Sequence, residues 1–322
     1  MTFMERRRYI WLLLGALLLF PLCVNDSYVL NVAIMAGIYI ILASSMNLTN
    51  GYGGIFSMGH SAFYGIGAYT TGILHYHFGT GFWTGLLAGT VLSILFGLLL
   101  GIPTLRLQGI FFAMVSVAFL EILRLAAINW ISVTRGPMGI PGIPGPTVFG
   151  WTLSTNRQFY YVILLLVLLV LFLLSRIVHS RIGRALTAVR DDAQAAASLG
   201  ISPFRYRLIA LAFSTGFAGV AGCFYAHYAT YISVDSFGVQ ETFIIMTMMV
   251  VGGMGTLSGP VAGAVLLTVF PELFRFLQEY RMVAYGAILI LVILFRPEGL
   301  LGVSGIVGTE GLLKRRQERR QP

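Results

Sequence analysis

Ten apolar runs of about membrane-spanning length, separated by short polar connections, constrain this chain more than any other feature. They cover residues 9–24, 28–48, 55–77, 82–101, 107–128, 159–178, 204–229, 242–256, 258–277 and 283–296. About 20 residues rising 1.5 Å each cross a ~30 Å hydrocarbon layer, so each run reads as a membrane helix. The composition agrees: 57% of residues are hydrophobic and only 10% charged, where a soluble domain carries about 25% charged residues. There is too little polar surface to coat a water-facing globule. The fold class expected is therefore an all-α polytopic membrane helix bundle of about ten spans.

The formal net charge of +9 is not spread evenly. Fourteen of the 21 basic residues fall in three clusters that flank apolar runs: Arg6 to Arg8, then Arg176 to Arg207, then Lys314 to Arg320. That is the positive-inside distribution, and it argues against a nucleic-acid partner. It places both termini and the middle cluster in the cytoplasm, which an even number of spans allows. Residues 129–158 and 231–241 then face outside. The charged start before the first run resembles a signal peptide, but Pro21-Leu22-Cys23 does not fit a cleavage site, so an uncleaved helix is expected. Cys23 and Cys223 are expected to be apolar filling.

Enzyme motifs are weak. His75 and His77 have a metal-like spacing but no acidic neighbour, and no metal site is expected. Gly59-His60-Ser61-Ala62-Phe63 imitates a nucleophile elbow, but it lacks the final glycine and the strand-turn-helix context; Ser61 reads better as a helix N-cap. No catalytic residues are expected. Glu121 and Arg124 are i,i+3 on the fifth run and can form a structural pair near its outer end. Buried carboxylates of the kind an ion-coupled carrier uses are lacking. The Gly136–Pro146 stretch excludes helix, leaving a plain connecting loop or a rim met by an external partner.

Two glycine-rich interruptions stand out, Asn50 to Gly59 and Gly252 to Pro260. Both hold Gly-x-x-Ser before a helix, Gly54 to Ser57 and Gly255 to Ser258. Unwound backbone at membrane depth requires a protein or aqueous surrounding. Gly53, Gly54, Ser57, Gly252, Gly253, Gly255 and Ser258 are thus candidates for broken helices beside a translocation path, in a weak internal repeat. Tight packing by small residues is the alternative.

The connection at 179–203 is the most informative polar segment. Residues 184–199 hold six alanines and read as one helix. Gly200 fits the C′ stop, and Ser202-Pro203 fits the cap and first position of the next helix. A helix with defined ends between two spans is suited to be gripped by a partner. Arg184, Arg190, Asp191, Asp192, Gln194, Ala195, Ala196 and Gly200 are the candidate contacts, with Asp191 and Asp192 alternatively pairing with neighbouring arginines. The chain has no P-loop, because its one lysine, Lys314, follows Leu313 and precedes Arg315. ATP-driven work would have to enter from another protein.

Several segments resemble the branched-chain amino-acid ABC permeases of the LivM type. They are Asn47 to Gly54, Ser57 to Phe63, Gly65 to Tyr69, Phe119 to Arg124, Gly183 to Asp192 and Val251 to Thr256. The resemblance runs from about residue 30 to 300. It implies a single permease domain over 1–322, with a membrane core at 9–301, a cytoplasmic coupling segment at 179–203 and a basic cytoplasmic tail at 302–322. It also implies a bacterial inner-membrane location, a second permease of the LivH type, two cytoplasmic ATPases that bind the ATP, a periplasmic amino-acid-binding protein and contact with membrane lipid. No cofactor is implied for the chain itself. Gln194-Ala195-Ala196 to Gly200 matches the ATPase-contacting Glu-Ala-Ala-x-x-x-Gly loop with Gln in place of Glu. Urea and short-chain amide systems use similar permeases, and an ion-coupled secondary carrier is the reading from another class.

Overall fold

The computed structural model describes residues 26–107, 109–148 and 151–273, with 15, 17–22, 24 and a few positions between 283 and 301. Ten longer or functionally placed helices organise the described residues: α1 Ser27–Asn47, α2 His60–Phe78, α3 Phe82–Thr104, α4 Ile110–Asn129, α5 Asn156–Val178, α6 Arg181–Asp191, α7 Ala193–Ser198, α8 Pro203–Ala229, α9 Val239–Gly252 and α10 Ser258–Leu273. Among the described residues, six segments are long and apolar enough to cross a membrane: Ser27–Tyr52, Phe82–Thr104, Ile110–Asn129, Asn156–Val178, Pro203–Ala229 and Val234–Gly252. The chain is a multi-pass membrane protein. Helices α2 and α10 stand where two further spans were expected. The expected run 9–24 is described only in part and 283–296 only at isolated positions.

The bundle is built on small residues. On α3, Gly85, Gly89, Ser93, Gly97 and Gly101 recur every fourth position and are buried, while Leu87, Val91, Leu95 and Leu99 on the other faces are exposed. A methyl group added at Gly97 would lie 2.8 Å from Thr215 Cγ2, and one at Gly89 would lie 3.0 Å from the Gly67 carbonyl oxygen. Gly67 in turn abuts Gly219 of α8. Residues four apart share one face of a helix. This stripe therefore lets α2, α3 and α8 approach backbone to backbone, the contact that holds helices together where lipid is as apolar as the side chains. Cys223 sits in that seam with its Sγ against the carbonyls of Gly67 and Gly85 at 3.3 and 3.4 Å, the filling role expected of it. Helix α1 lies deepest, with Ile34, Ile38, Ile41, Leu42 and Met46 sealed from solvent. The described residues 17–22 lie against α5, where Tyr160 and Tyr161 donate to the carbonyls of Leu17 and Leu18.

The two ends of the bundle differ. At one, the Pro/Gly-rich loop is tied down: Ile140–Pro141 (β1) pairs antiparallel with Tyr231–Ile232 (β4), and the Ile143 N–H donates to the Thr230 carbonyl. Thr147–Val148 (β2) and Trp151–Thr152 (β3) form a second short hairpin. Residues 129–158 and 231–241 therefore share this Pro/Gly end. The arginine-rich connection 179–203 lies at the opposite, arginine end.

Local structure departs from expectation at three places. The single helix expected over 184–200 is two, because Asp192 adopts an extended backbone and caps α7 by accepting from the Gln194 and Ala195 N–H groups at 2.9 Å. Aspartate is a strong N-cap, and that local bond outweighs the alanine propensity around it. Ser61 is not an N-cap: α2 starts at His60 after Gly59. Ser202 holds the expected N-cap position and Pro203 opens α8, but the Ser202 side chain makes no capping bond.

Candidate functional site

At the first glycine segment, α1 ends in a five-residue π turn, Leu48–Tyr52. The Gly53 N–H reaches back to the Leu48 carbonyl and the Ile55 N–H to that of Thr49, at 3.0 and 3.1 Å. Such wide turns occur as single bulges and concentrate at functional sites. Gly54 then takes φ +63°, where a side chain is costly. Asn50 closes the loop, donating to the Ser57 carbonyl at 3.1 Å and accepting from its N–H at 3.2 Å. Met58 N–H donates to Ser116 Oγ of α4 at 2.9 Å. The unwound backbone is satisfied by protein, as its depth in the bundle demands.

The second segment breaks α9 from α10. Gly253 and Gly255 have φ +122° and +75°. Thr256 caps the start of α10: its hydroxyl accepts from the Gly259 N–H and donates to the Gly253 carbonyl, both at 3.0 Å. Ser258 is the first residue of α10, whereas Ser57 lies three residues before α2, so the two Gly-x-x-Ser stretches differ in local structure. A Cβ at Gly252 would collide with the Gly259 carbonyl. Leu300 and Leu301 donate to the carbonyls of Val251 and Gly252 at 2.9 Å.

The two glycine segments meet. Asn47, 1% exposed, donates from Nδ2 to the Thr256 carbonyl at 2.7 Å and accepts at Oδ1 from the Gly255 N–H at 2.8 Å. Gly51 lies between them, its missing Cβ directed at Asn47 Oδ1 and 2.6 Å from Gly255 N. A buried polar set backs this junction: His60 Nε2 bonds Ser45 Oγ at 2.9 Å, and Ser214 of α8 donates to the Ser45 carbonyl at 2.6 Å.

The arginine-rich connection touches the same junction. Arg190, at the end of α6, donates from Nη1 to the Gly51 carbonyl at 3.0 Å and holds Asp191 in an ion pair at 2.8 Å. Its Cγ lies 2.9 Å from where a Gly54 Cβ would stand. Helix α6 is anchored beneath by Leu186, Val189, Ala185 and Gly183, all buried. Of the expected contacts, Arg184, Asp191, Asp192, Gln194, Ala195 and Gly200 are exposed, but Ala196 faces inward, 3% exposed. Asp191 and Asp192 both have partners inside the connection. Gly200, φ +81°, ends α7 as a Schellman stop: its N–H bonds the Ala197 carbonyl and the Ile201 N–H that of Ala196, both at 3.0 Å. Leu199, unremarked in the sequence, is 82% exposed at this tip.

At the Pro/Gly end, Glu121 and Arg124 do pair, at 3.6 Å, but the shorter bond of Arg124 goes to Asp235 at 3.1 Å. Ser61 of the elbow-like motif is bound by Thr242 Oγ1 at 2.6 Å and by the Gly238 carbonyl. His75 Nδ1 bonds the Thr80 carbonyl at 3.0 Å.

Residues 28–293 match the family model described as branched-chain amino acid transport system / permease component. The chain is 37% identical to the high-affinity branched-chain amino acid transport system permease protein LivM of Salmonella typhimurium, over 93% of this chain and 76% of that protein. It is 37% identical to the LivM of Escherichia coli over 85% and 70%. The LivH of Escherichia coli is 28% identical over 54% of this chain and 59% of its own. No solved structure matches. The matched span contains both glycine segments and the connection that touches them, and the chain belongs to the branched-chain amino acid transport system permease family.

Proposed function

We propose that this chain is the membrane-spanning permease subunit of an ATP-binding-cassette importer for branched-chain or other hydrophobic amino acids. The observation that carries this reading is the continuous contact from the 179–203 connection through Arg190 to Gly51, and from Gly51 through Asn47 to Gly255 and Thr256. A push on α6 is thereby delivered to both helix breaks at once, with no flexible linker between. The exposed tip of Ala195, Leu199 and Gly200 is the surface for an ATPase, and the broken segments border the path.

In this reading the chain is one domain, works beside a second permease of the LivH type, and receives substrate from a periplasmic binding protein. Two cytoplasmic ATPases bind and hydrolyse the ATP. The arginine end and both termini lie in the cytoplasm of a bacterial inner membrane, and the Pro/Gly end faces outside, because arginines concentrate at the first and not the second. About ten spans, including the runs at 9–24 and 283–296, bring the C-terminus back to the starting side.

Two measurements test it. Affinity purification with native partners should recover a second permease and ATPases. Proteoliposomes holding the complex should take up leucine with ATP and binding protein, indifferent to ionophores. Uptake that ionophores abolish would assign the chain to ion-coupled carriers instead. Labelling of a cysteine at position 190 by an impermeant reagent outside intact cells would invert the orientation.

A further inference from the structure

Between α2 and α4, at the Pro/Gly end, lies a cavity of about 230 Å³ lined almost wholly by carbon, from Ala62, Ile66, Leu120, Leu123 and Ala127 among others. That is several times the ~30 Å³ share of one water. Its base is Ala62, in the first turn of α2, directly beyond the first glycine break. Tyr69, 9% exposed, contributes to its wall.

One charged cluster of this end stands beside it. Arg124 is part of the cavity wall, held by Glu121 at 3.6 Å and by Asp235 at 3.1 Å, the latter 84% exposed. Two carboxylates and one guanidinium leave the trio net negative by one, and Arg124 retains N–H donors beyond the two contacts it makes. A free amino acid with an alkyl side chain matches that arrangement: ammonium toward Glu121 and Asp235, carboxylate toward Arg124, side chain in the apolar cavity. A phospholipid head group does not, since two carboxylates would face its phosphate.

We propose that this cavity is a substrate subsite of the permease, in which the side chain of a small hydrophobic amino acid rests while the trio Glu121, Arg124 and Asp235 holds its zwitterionic head. The inference rests on the importer reading and locates where the chain itself senses its substrate. Selectivity then belongs partly to this subunit, because a methylene gained or lost in an apolar pocket changes discrimination ~10-fold or more.

The test uses the full complex, with both permeases, ATPases and binding protein, in proteoliposomes, measuring uptake of labelled alanine, leucine and phenylalanine. Ala127→Phe fills the cavity and should lower the leucine-to-alanine uptake ratio ~10-fold, whereas Leu123→Ala enlarges it and should raise the phenylalanine-to-leucine ratio ~10-fold. Arg124→Gln should weaken uptake of all three, with Arg124→Lys partly restoring it. If Ala127→Phe does not assemble, Leu123→Ala decides alone. Unchanged ratios in a transporting complex would overturn the subsite and leave the importer reading standing. A wild-type complex that moves none of the three would remove the importer reading and the subsite with it.

Discussion

Asn47→Leu isolates the contact on which transmission between the two helix breaks depends. Leucine fills a similar volume but leaves the Gly255 N–H and Thr256 carbonyl, now bonded at 2.8 and 2.7 Å, without partners. Each orphaned group costs roughly 1–3 kcal/mol, so the pair costs about 2–6 kcal/mol by that measure, toward the lower end because Gly255 is only half-buried. Thr49→Val is the control: its hydroxyl bonds the Met46 carbonyl of its own turn at 2.8 Å and Asn50 at 3.2 Å, and its loss should cost only about 1 kcal/mol. The assay is the thermal midpoint of the detergent-purified complex together with uptake in proteoliposomes. Asn47→Leu should lower the midpoint by several degrees more than Thr49→Val and reduce uptake further than the midpoint alone accounts for. In a double-mutant cycle with Gly51→Ala, whose Cβ would strike Asn47 Oδ1, the two losses should be non-additive. Equal midpoints for Asn47→Leu and Thr49→Val, with uptake intact in both, would refute the claim that Asn47 couples the breaks.

Gly252→Leu and Gly53→Leu should abolish uptake, since their Cβ atoms meet the backbone carbonyls of Gly259 and of Thr49, the latter at 2.8 Å, whereas Gly15→Leu, with nothing within 4 Å among the described residues, should be tolerated; comparable uptake in all three would make the glycines ordinary packing. Gly200→Val should destabilise the tip of α7 by about 1–2 kcal/mol through its φ alone, because the space around it is open, and should raise ATP hydrolysed per leucine transported. Leu199→Asp and Ala195→Trp should uncouple hydrolysis from uptake without loss of the permease from the membrane; normal coupling in both would place the ATPase elsewhere. Arg190→Lys, which keeps the charge but not the fork reaching both the Gly51 carbonyl and Asp191, should lower uptake while ATPase binding persists, as read by co-purification.

What the sequence alone determined is what depends on short-range physics. The cost of placing polar backbone in lipid made the apolar runs legible as spans. The steric cost of positive φ made Gly54, Gly253, Gly255 and Gly200 legible as breaks or stops. The i,i+3 geometry of a helix made Glu121 and Arg124 a pair. Even the division at Asp192 had a local signal, an aspartate followed by alanine-rich helix, which the uniform propensity of residues 184–199 concealed. Tertiary structure decided everything that joins distant positions. Asn47 meets Gly255 and Thr256 more than 200 residues away, Arg190 reaches Gly51 across 139, and Asp235 takes Arg124 across 111. No local propensity encodes such pairs, because each exists only once small-residue packing has brought the backbones together. A buried amide whose partners are backbone groups leaves no complementary side chain in the sequence to find. It is the absence of a side chain at Gly51, and the positive φ that Gly255 adopts, that let the contact form.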